Sequence, residues 1–315
     1  MILKSILKIL VHQHNFMLIF AIFAGLNMAP LAQLTESWII PSLIIAMSLS
    51  LSHIDITKDL LLPRKILKAT SMGLLLNFIL LGGLNIILGH LFTDDKYLIA
   101  GLVVLAGAPP SLLITPCTYN IKGDVSFSFL SAIACYFLSI LILPLLIYVF
   151  LGSTYWGVDL FNVIFQIVVL PLILSRIIRN IKQSRLIQPY NGHIINWCIA
   201  IVCFTLVGLN HELLTTYSNN LLIAFIVAAA TIFLLGELIY RTSRLLIIPT
   251  PTAISYMLLG SMKKWAGAST IAYVILGPKA SVPAIAALIV GFLYYLFLSI
   301  RFHKNIGIET KIFEK

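Results

Sequence analysis

The sequence contains few charged residues for its length. Lys, Arg, Asp and Glu together make up 10% of the 315 residues, whereas hydrophobic residues make up 60%. A typical soluble domain carries about 25% charged residues, so this composition excludes a soluble protein of this length. The mean hydropathy of +1.04 indicates a multi-pass membrane protein with the lipid bilayer as its main partner.

Cysteine is also scarce, and the usual groups of an enzyme are missing. The four cysteines lie in apolar stretches without metal-ligand spacing, which predicts buried packing: Cys117, Cys135, Cys198 and Cys203. The predicted spans contain neither a recognisable nucleophile with its base nor a pair of carboxylates. We therefore expect neither enzymatic activity nor a cofactor.

Apolar windows of about 20 residues predict an all-α fold with ten membrane spans. The spans lie near residues 16–34, 38–54, 65–92, 97–120, 124–151, 157–182, 192–210, 218–240, 246–277 and 279–301. They divide into two five-helix repeats, residues 16–152 and 153–302. Because each repeat has an odd number of helices, the second repeat is expected to be inverted relative to the first.

The two ends of the chain are predicted to lie outside the spans. Residues 1–15 carry Lys4 and Lys8 one turn apart among apolar residues, which is typical of an interfacial amphipathic helix. Residues 303–315 are predicted to form a cytoplasmic tail.

Basic residues are distributed unevenly between the predicted loops. With the N-terminus placed inside, seventeen of the 21 lie on the inner side and only Lys96 and Lys279 lie outside. The other two, Lys263 and Lys264, lie within the ninth span. This asymmetry follows the positive-inside rule, so it predicts cytoplasmic termini in a bacterial inner membrane. It also accounts for the net charge of +10 without a nucleic-acid partner.

Two of the predicted spans contain residues that break helices. Pro109 and Pro110 remove backbone donors from the middle of the fourth span, and Gly260-Ser261 favours a break in the ninth. Backbone groups freed at bilayer depth must be satisfied by protein or line a cavity, and many secondary transporters bind their substrate where two such breaks meet. A proline kink that affects only packing is the alternative interpretation.

Polar and basic side chains cluster around both breaks. Lys264 lies fourteen residues before Pro278, or about 21 Å at helical rise, which is too deep for its ammonium to reach the interface. Helix N-termini and a buried ammonium both favour an anion, so we expect a small organic anion as substrate. Either lysine could face the cavity, with a slight preference for Lys264. The predicted substrate-binding residues are Ser111, Thr115, Thr118, Ser261, Lys263 and Lys264.

The order of motifs resembles that of a known transporter family. MSLSLSHID is followed by MGLLLNF, GLVVLAGAPPS and KGDVSFSFLSA, a succession similar to the bile acid:sodium symporter family. The resemblance extends from about Ile39 to Ile300. It implies two inverted repeats, a core in which spans four and nine cross at their breaks, a panel of spans one, two, six and seven, and alternating access. Members of this family move organic anions, commonly with sodium.

The same resemblance indicates that most of the family's sodium ligands are replaced in this chain. The family's glutamate in span nine falls at Leu259, its Gln-Asn pair at Lys263-Lys264, and a threonine of span five at Ala132. These replacements leave sodium uncertain as a coupling ion. The ion-coupling residues that the resemblance implies are Asn77, Thr115, Ser128, Lys263 and Lys264.

Together these features predict a secondary active transporter of a small organic anion that works by alternating access. A buried lysine can supply the charge that sodium supplies elsewhere and can exchange protons, which favours proton coupling. Three alternatives stay open on the same fold: a sodium-coupled symporter, a channel, or a sensor that no longer transports. No motif specifies the identity of the anion, the direction of transport or the oligomeric state.

The predicted topology can be tested with a cysteine at residue 304 in an otherwise cysteine-free variant. Because the positive-inside rule puts this end of the last span in the cytoplasm, we expect Lys304→Cys to be unreactive toward an impermeant maleimide in intact cells. It should react once the membrane is permeabilised. Lys279→Cys, on the predicted outer side, is the control and should react in intact cells. Labelling of residue 304 from outside would contradict the topology.

Overall fold

The computed structural model describes residues 14–52, 63–111, 114–152, 162, 165–180, 190–215 and 219–304. Every regular element within these residues is helical, so the all-α prediction is confirmed for the described chain. The predicted amphipathic helix at 1–15 lies almost wholly outside the described residues. Most of the predicted tail at 303–315 also lies outside them.

The helices begin and end near the predicted boundaries. In chain order they are α1 (His14–Asn27), α2 (Ala29–Leu34), α3 (Ile39–Ser52), α4 (Pro63–Gly73), α5 (Gly83–Phe92), α6 (Lys96–Gly107), α7 (Ile114–Asn120), α8 (Val125–Leu151), α9 (Leu170–Asn180), α10 (Asn191–Leu209), α11 (His211–Thr215), α12 (Asn219–Ala229), α13 (Leu235–Leu245), α14 (Thr250–Leu259), α15 (Trp265–Leu276) and α16 (Pro278–Lys304). A 3₁₀ turn at Glu36–Trp38 precedes α3. Wider π-helical stretches interrupt the α-helices at three places. Leu74–Gly82 joins α4 to α5, Ala230–Leu234 joins α12 to α13, and Phe165–Val169 precedes α9.

Several of these helices are suited to a bilayer. Within the described residues, five are long and apolar enough to cross a membrane: Arg64–Phe92, Val125–Leu151, Asn191–Leu209, Asn219–Leu245 and Pro278–Tyr295. Three shorter apolar helical segments accompany them: Glu36–Leu49, Lys96–Gly107 and Trp265–Leu276. The count of ten spans stays a prediction, because each half of an interrupted helix is too short to cross a bilayer by itself.

The described helices pack as two groups. The panel group contains α1, α2, α3, α9 and α10, with α10 packed against α1 and α3. The core group contains α4 to α8 and α12 to α16, and α6 lies at its centre against α5, α8, α15 and α16. Every residue of α6 from Ala100 to Gly107 is buried. The names panel and core follow the arrangement that the resemblance implies, which stays a prediction.

Glycines allow the close packing around α6. A Cβ atom at Gly101 would collide with the backbone carbonyl of Ala280 in α16, and one at Gly107 would lie 2.7 Å from the side chain of Leu143 in α8. Because the carbonyl of Ala280 is a backbone group, it can make room for a Cβ only if α6 and α16 move apart. Gly101 therefore sets the distance between α6 and α16.

The turn Lys122-Gly123-Asp124 precedes α8, and its sequence predicts that Asp124 caps the helix and that Gly123 allows the chain to reverse. Asp124 caps α8 as expected, accepting a hydrogen bond from a backbone N–H in its first turn. The reversal of the chain is made by Lys122, with φ +59°, rather than by Gly123. Gly123 is required for space instead, since a Cβ there would lie 2.5 Å from Thr118 and 2.9 Å from Ile254.

The i, i+4 spacing of Glu237 and Arg241 predicts an ion pair within one helix. The structure shows instead that Glu237 accepts a hydrogen bond from Arg301 of α16 at 2.5 Å. The guanidinium of Arg301 also lies 5.2 Å from the ring centroid of Tyr240. Arg301 reaches Glu237 because α16 packs against the helical run 219–245. Residue spacing along a single helix does not predict this contact.

A pair of alanine substitutions can test the contact at Gly101. We expect Gly101→Ala to lower the unfolding temperature in detergent, because overpacking of this kind typically costs about 1–3 kcal/mol. Gly83→Ala is the matched control, since a Cβ there meets nothing within 4 Å. The free energy of unfolding of Gly83→Ala should be unchanged or rise by up to about 1 kcal/mol, because alanine has a higher helix propensity than glycine. Equal unfolding temperatures for the two variants would show that α6 and α16 do not approach this closely.

Candidate functional site

The two predicted breaks lie next to each other. The first separates α6 from α7, and the second separates α14 from α15. The backbone N–H of Lys264 in the second break donates to the carbonyl oxygen of Pro109 in the first, at 2.9 Å. α6 also packs against α15, and α7 against α14. The ends of four half-helices therefore meet at one crossing.

The sequence predicts that Pro116 breaks the fourth span a second time and that Lys263 and Lys264 open the half-helix behind Gly260-Ser261, and the structure corrects both predictions. α14 ends at Leu259 and α15 begins at Trp265, so Lys263 and Lys264 belong to the break instead of opening the second half-helix. Pro116, expected to break the chain again, lies in the first turn of α7. Proline is tolerated there because an N–H in the first turn has no partner within the helix.

Lys263 is almost completely buried at the crossing, with 1% of its surface exposed. Its ammonium donates to the carbonyl oxygens of Ala106 and Ala108, both at 2.8 Å, and to Oδ1 of Asn77 at 3.0 Å. The ring centroid of Phe78 lies 5.0 Å away. All three donors of the ammonium are satisfied. We call these three oxygens the oxygen cage.

The sequence explains why one of these carbonyls is available. In a continuous helix the carbonyl of Ala106 would accept from the N–H four residues later, but that residue is Pro110, which has none. The C-terminal end of α6 also carries partial negative charge, which favours a cation. Lys263 therefore supplies the donor and the charge that the proline-broken helix lacks.

Asn77 connects the oxygen cage to the second break. Its Nδ2 donates to the carbonyl oxygens of Leu259 and Met262, at 3.0 and 3.4 Å, while its Oδ1 accepts from Lys263. The side chain is fully buried in the π-helical stretch Leu74–Gly82. Such widened turns are frequent at functional sites. One amide thus satisfies two carbonyls of the second break and holds the lysine that bonds to the first.

Lys264 extends in a different direction and lies between the two helix groups. Its ammonium contacts Sδ of Met47 in α3 and lies 3.1 Å from the hydroxyl oxygen of Tyr136 in α8. The Tyr136 hydroxyl also donates to the Met47 sulfur, at 3.4 Å. Lys264 is half-buried, and a thioether is a weak acceptor. Its charge is therefore less fully satisfied than that of Lys263.

The predicted hydroxyl groups occupy the surroundings of the breaks. Ser261, in the second break, donates to the carbonyl oxygen of Met257 in the preceding helix α14 at 2.7 Å. Thr118 shares a hydrogen bond of 2.9 Å with Ser128, which ties α7 to α8. Ser111 and Thr115 are half-buried beside the first break. Asn77 and Lys263 are thus brought into contact, whereas Thr118 and Ser128 form a separate pair.

Four partners of the two lysines were missed by reasoning from sequence: Tyr136, Met47 and the carbonyls of Ala106 and Ala108. Tyr136 carries a recognisable signal, because a hydroxyl within an apolar span requires a partner. Met47 has no polar signal, and the carbonyls of Ala106 and Ala108 belong to residues without polar side chains. Within the described residues, neither ammonium is paired with an acidic side chain, and no cluster of His, Cys, Asp and Glu could hold a metal ion.

Crossed, interrupted helices within a bundle of apolar helices are characteristic of membrane transporters. The chain belongs to the SBF-like CPA transporter family, whose model matches residues 16–298. This match confirms the resemblance to the bile acid:sodium symporters and identifies an integral membrane transporter. None of the curated proteins compared with the chain matches it significantly.

The contribution of Asn77 can be measured against another buried asparagine of the same helical run. Asn77→Leu should reduce stability by about 1–3 kcal/mol, because it removes the hydrogen bonds to the carbonyls of Leu259 and Met262 and leaves Lys263 short of an acceptor. Asn85→Leu is the control, since Asn85 donates only within its own helix and its Oδ1 has no partner. It should be close to neutral in a thermal-unfolding assay. Comparable losses in both variants would rule out a special role for Asn77.

Proposed function

We propose that this protein is a secondary active transporter that moves a small organic anion across the membrane by alternating access. The observation that carries the proposal is the crossing, where the two broken helices are joined by the bond from Lys264 to Pro109. Two ammonium groups lie there without a carboxylate partner among the described residues. Positive charge at bilayer depth attracts an anionic substrate.

The architecture of this proposal is ten spans in two inverted repeats. The order of elements supports it, because a long run with a π-helical stretch precedes each interrupted helix: residues 63–92 before α6, and residues 219–245 before α14. A helix of 27 residues with an internal proline follows each, α8 with Pro144 and α16 with Pro283. In this proposal the N-terminus faces the cytoplasm of a bacterial cell.

Lys264 is the group that we propose to bind the anion. Its weak contact with the Met47 sulfur can be replaced by a charge-assisted hydrogen bond to a carboxylate or sulfonate, which is roughly twice as strong as a neutral one. The N-terminal end of α15 starts at the next residue and adds favourable dipole charge. The hydroxyls of Ser111 and Thr115 complete the proposed site.

The position of Lys264 also suits alternating access. Met47 belongs to the panel group and Tyr136 to the core group, so the ammonium bridges the surfaces that would move against each other. An anion that draws Lys264 away from Met47 would favour separation of the two groups on one side. Substrate binding would then shift the population of inward-open and outward-open states.

Proton coupling follows from the same group. The Lys264 ammonium has no carboxylate partner among the described residues, so a bound anion would favour its charged form, and proton binding would be linked to substrate binding. The two binding events therefore strengthen each other by the same free energy. Tyr136 from α8 and Lys263 from the same break are the titratable groups nearest to it, and Met47 from α3 does not titrate.

The test is uptake into proteoliposomes, with labelled carboxylates and sulfonates chosen by a thermal-stability screen. We expect saturable uptake with counterflow that follows an imposed pH gradient and is indifferent to a sodium gradient. Lys264→Met keeps length and packing but removes the charge, so it should abolish pH-driven uptake. Lys96→Met, at an exposed lysine of α6, is the control and should transport normally.

The alternative functions give different results in the same assay. Sodium-driven uptake that persists in Lys264→Met would indicate a sodium-coupled symporter instead. Unsaturable flux would identify a channel, and binding without uptake would identify a sensor. Stabilisation by organic cations but not by anions would contradict the proposed charge preference.

A further inference from the structure

We infer that the end of α13 is a binding surface for anionic phospholipid, in which apolar side chains contact the acyl chains and arginines bind the headgroups. The apolar residues are Leu245, Leu246 and Ile247, and the arginines are Arg241 and Arg244. We call these five residues the basic-apolar tip. Because α14 separates the tip from the crossing, this inference goes beyond the proposed function.

The apolar side chains of the tip project from the helix bundle. Leu245, Leu246 and Ile247 leave 82, 70 and 89% of their surface exposed. A helix that turns one side toward lipid exposes residues three or four apart, while the residues between them pack against the bundle. Three consecutive exposed residues therefore mark a tip that its surroundings enclose on all sides. Apolar surface of this extent is unfavourable in water, which favours an apolar medium around it.

The backbone of the tip has a conformation that isoleucine rarely adopts. Ile247 has φ +60°, in the left-handed region. Its N–H donates to the carbonyl oxygen of Arg244 at 3.1 Å, and the N–H of Ile248 donates to that of Ser243 at 3.0 Å. This pair of bonds ends many helices, usually with glycine at the left-handed position. A β-branched residue there costs free energy that glycine would not. Ile247 is almost fully exposed, so packing within the chain does not offset this cost, whereas contact with lipid would.

The two arginines select a negatively charged partner for the tip. Arg241 and Arg244 are exposed, and within the described residues neither guanidinium is paired with a carboxylate. Nη1 of Arg244 donates to the carbonyl oxygen of Ile248 at 2.8 Å, which holds the guanidinium beside the apolar side chains. The sequence has no acidic residue between Glu237 and Glu309. Guanidinium groups bind phosphate oxygens bidentately, so the headgroup of an anionic lipid suits this pair.

The length of the helical run 219–245 suits a tip at the membrane surface. The run extends over about 40 Å at helical rise, whereas the hydrocarbon core of a bilayer is about 30 Å thick. Its last turns would therefore lie in the headgroup layer, where arginines meet phosphates and apolar side chains reach the acyl boundary. In the proposed topology this end faces the cytoplasmic leaflet, whose anionic lipids attract basic segments. A lipid satisfies both parts of the tip, which favours it over a soluble partner.

The experiment measures thermal unfolding of purified full-length protein in detergent, with added phosphatidylglycerol or with phosphatidylcholine of the same acyl chains. Phosphatidylglycerol should raise the unfolding temperature of the wild type by several degrees more than phosphatidylcholine does. The double variant Arg241→Gln/Arg244→Gln should lose most of this difference. The control Arg64→Gln/Lys65→Gln removes the same charge from the exposed start of α4 and should retain it. Equal losses in the two double variants would overturn the inference, and so would equal stabilisation of the wild type by glycerol 3-phosphate, which has no acyl chain.

Ile247→Asn tests the apolar part of the tip. Asparagine tolerates the left-handed region, so in lipid-free detergent this variant should unfold at or above the temperature of the wild type. It should nevertheless gain less from phosphatidylglycerol, because it lacks the apolar side chain that contacts the acyl chains. A purely structural role of Ile247 would not produce these two changes together. A gain from phosphatidylglycerol as large as that of the wild type would overturn the inference.

The occupant of the tip can be identified with a fluorescent label on Leu246→Cys in an otherwise cysteine-free variant. In nanodiscs, a lipid that carries a nitroxide near its headgroup should quench this label strongly. Weak quenching would show that water, a soluble partner or residues 305–315 surround the tip instead, and it would overturn the inference. No substrate is present in these experiments, so their failure would leave the uptake result untouched, and failure of uptake would leave the lipid response intact.

Discussion

Backbone carbonyls freed inside an apolar bundle are the constraint on which this structure depends. The prolines at 109 and 110 remove two N–H groups from the middle of a buried helix, and lipid offers no replacement. Leaving such groups unpaired costs several kcal/mol each. The second broken helix supplies what the first lacks, through the Lys263 ammonium and the Lys264 N–H, while Asn77 satisfies the second break in turn. Neither interruption is stable without the other.

This mutual dependence gives two adjacent lysines different environments. Lys263 is enclosed by three oxygens and is held at the centre of the core group. Lys264 reaches across to Met47 of the panel group through a weak acceptor. An interaction that is fully satisfied rigidifies its surroundings, whereas one that is only partly satisfied can be replaced by a ligand at low cost. The same residue type is therefore fully satisfied at one position and only partly satisfied at the next.

The sequence was sufficient for features governed by local chemistry. Pro109 and Pro110 predicted the first break, and Asp124 predicted the cap of α8, because each depends only on its own backbone. Features that depend on packing between distant segments were missed or wrong. Glu237 pairs with Arg301 of α16, and the acceptors of Lys263 are carbonyls of Ala106 and Ala108, which no side-chain pattern reveals. A carbonyl becomes a ligand only where the fold brings a donor to it.

The fixed position of Lys263 also restricts where an ion gradient can act on this transporter. An ammonium attached to the chain cannot leave the oxygen cage with the substrate, so the cage can hold the crossing together but cannot bind and release an ion in each cycle. Coupling requires a species whose binding differs between the two states. At the crossing, Lys264 meets this requirement, because one of its contacts lies in the panel group and one in the core group. Within the proposed function, Lys264 is therefore the group at which a proton gradient would act.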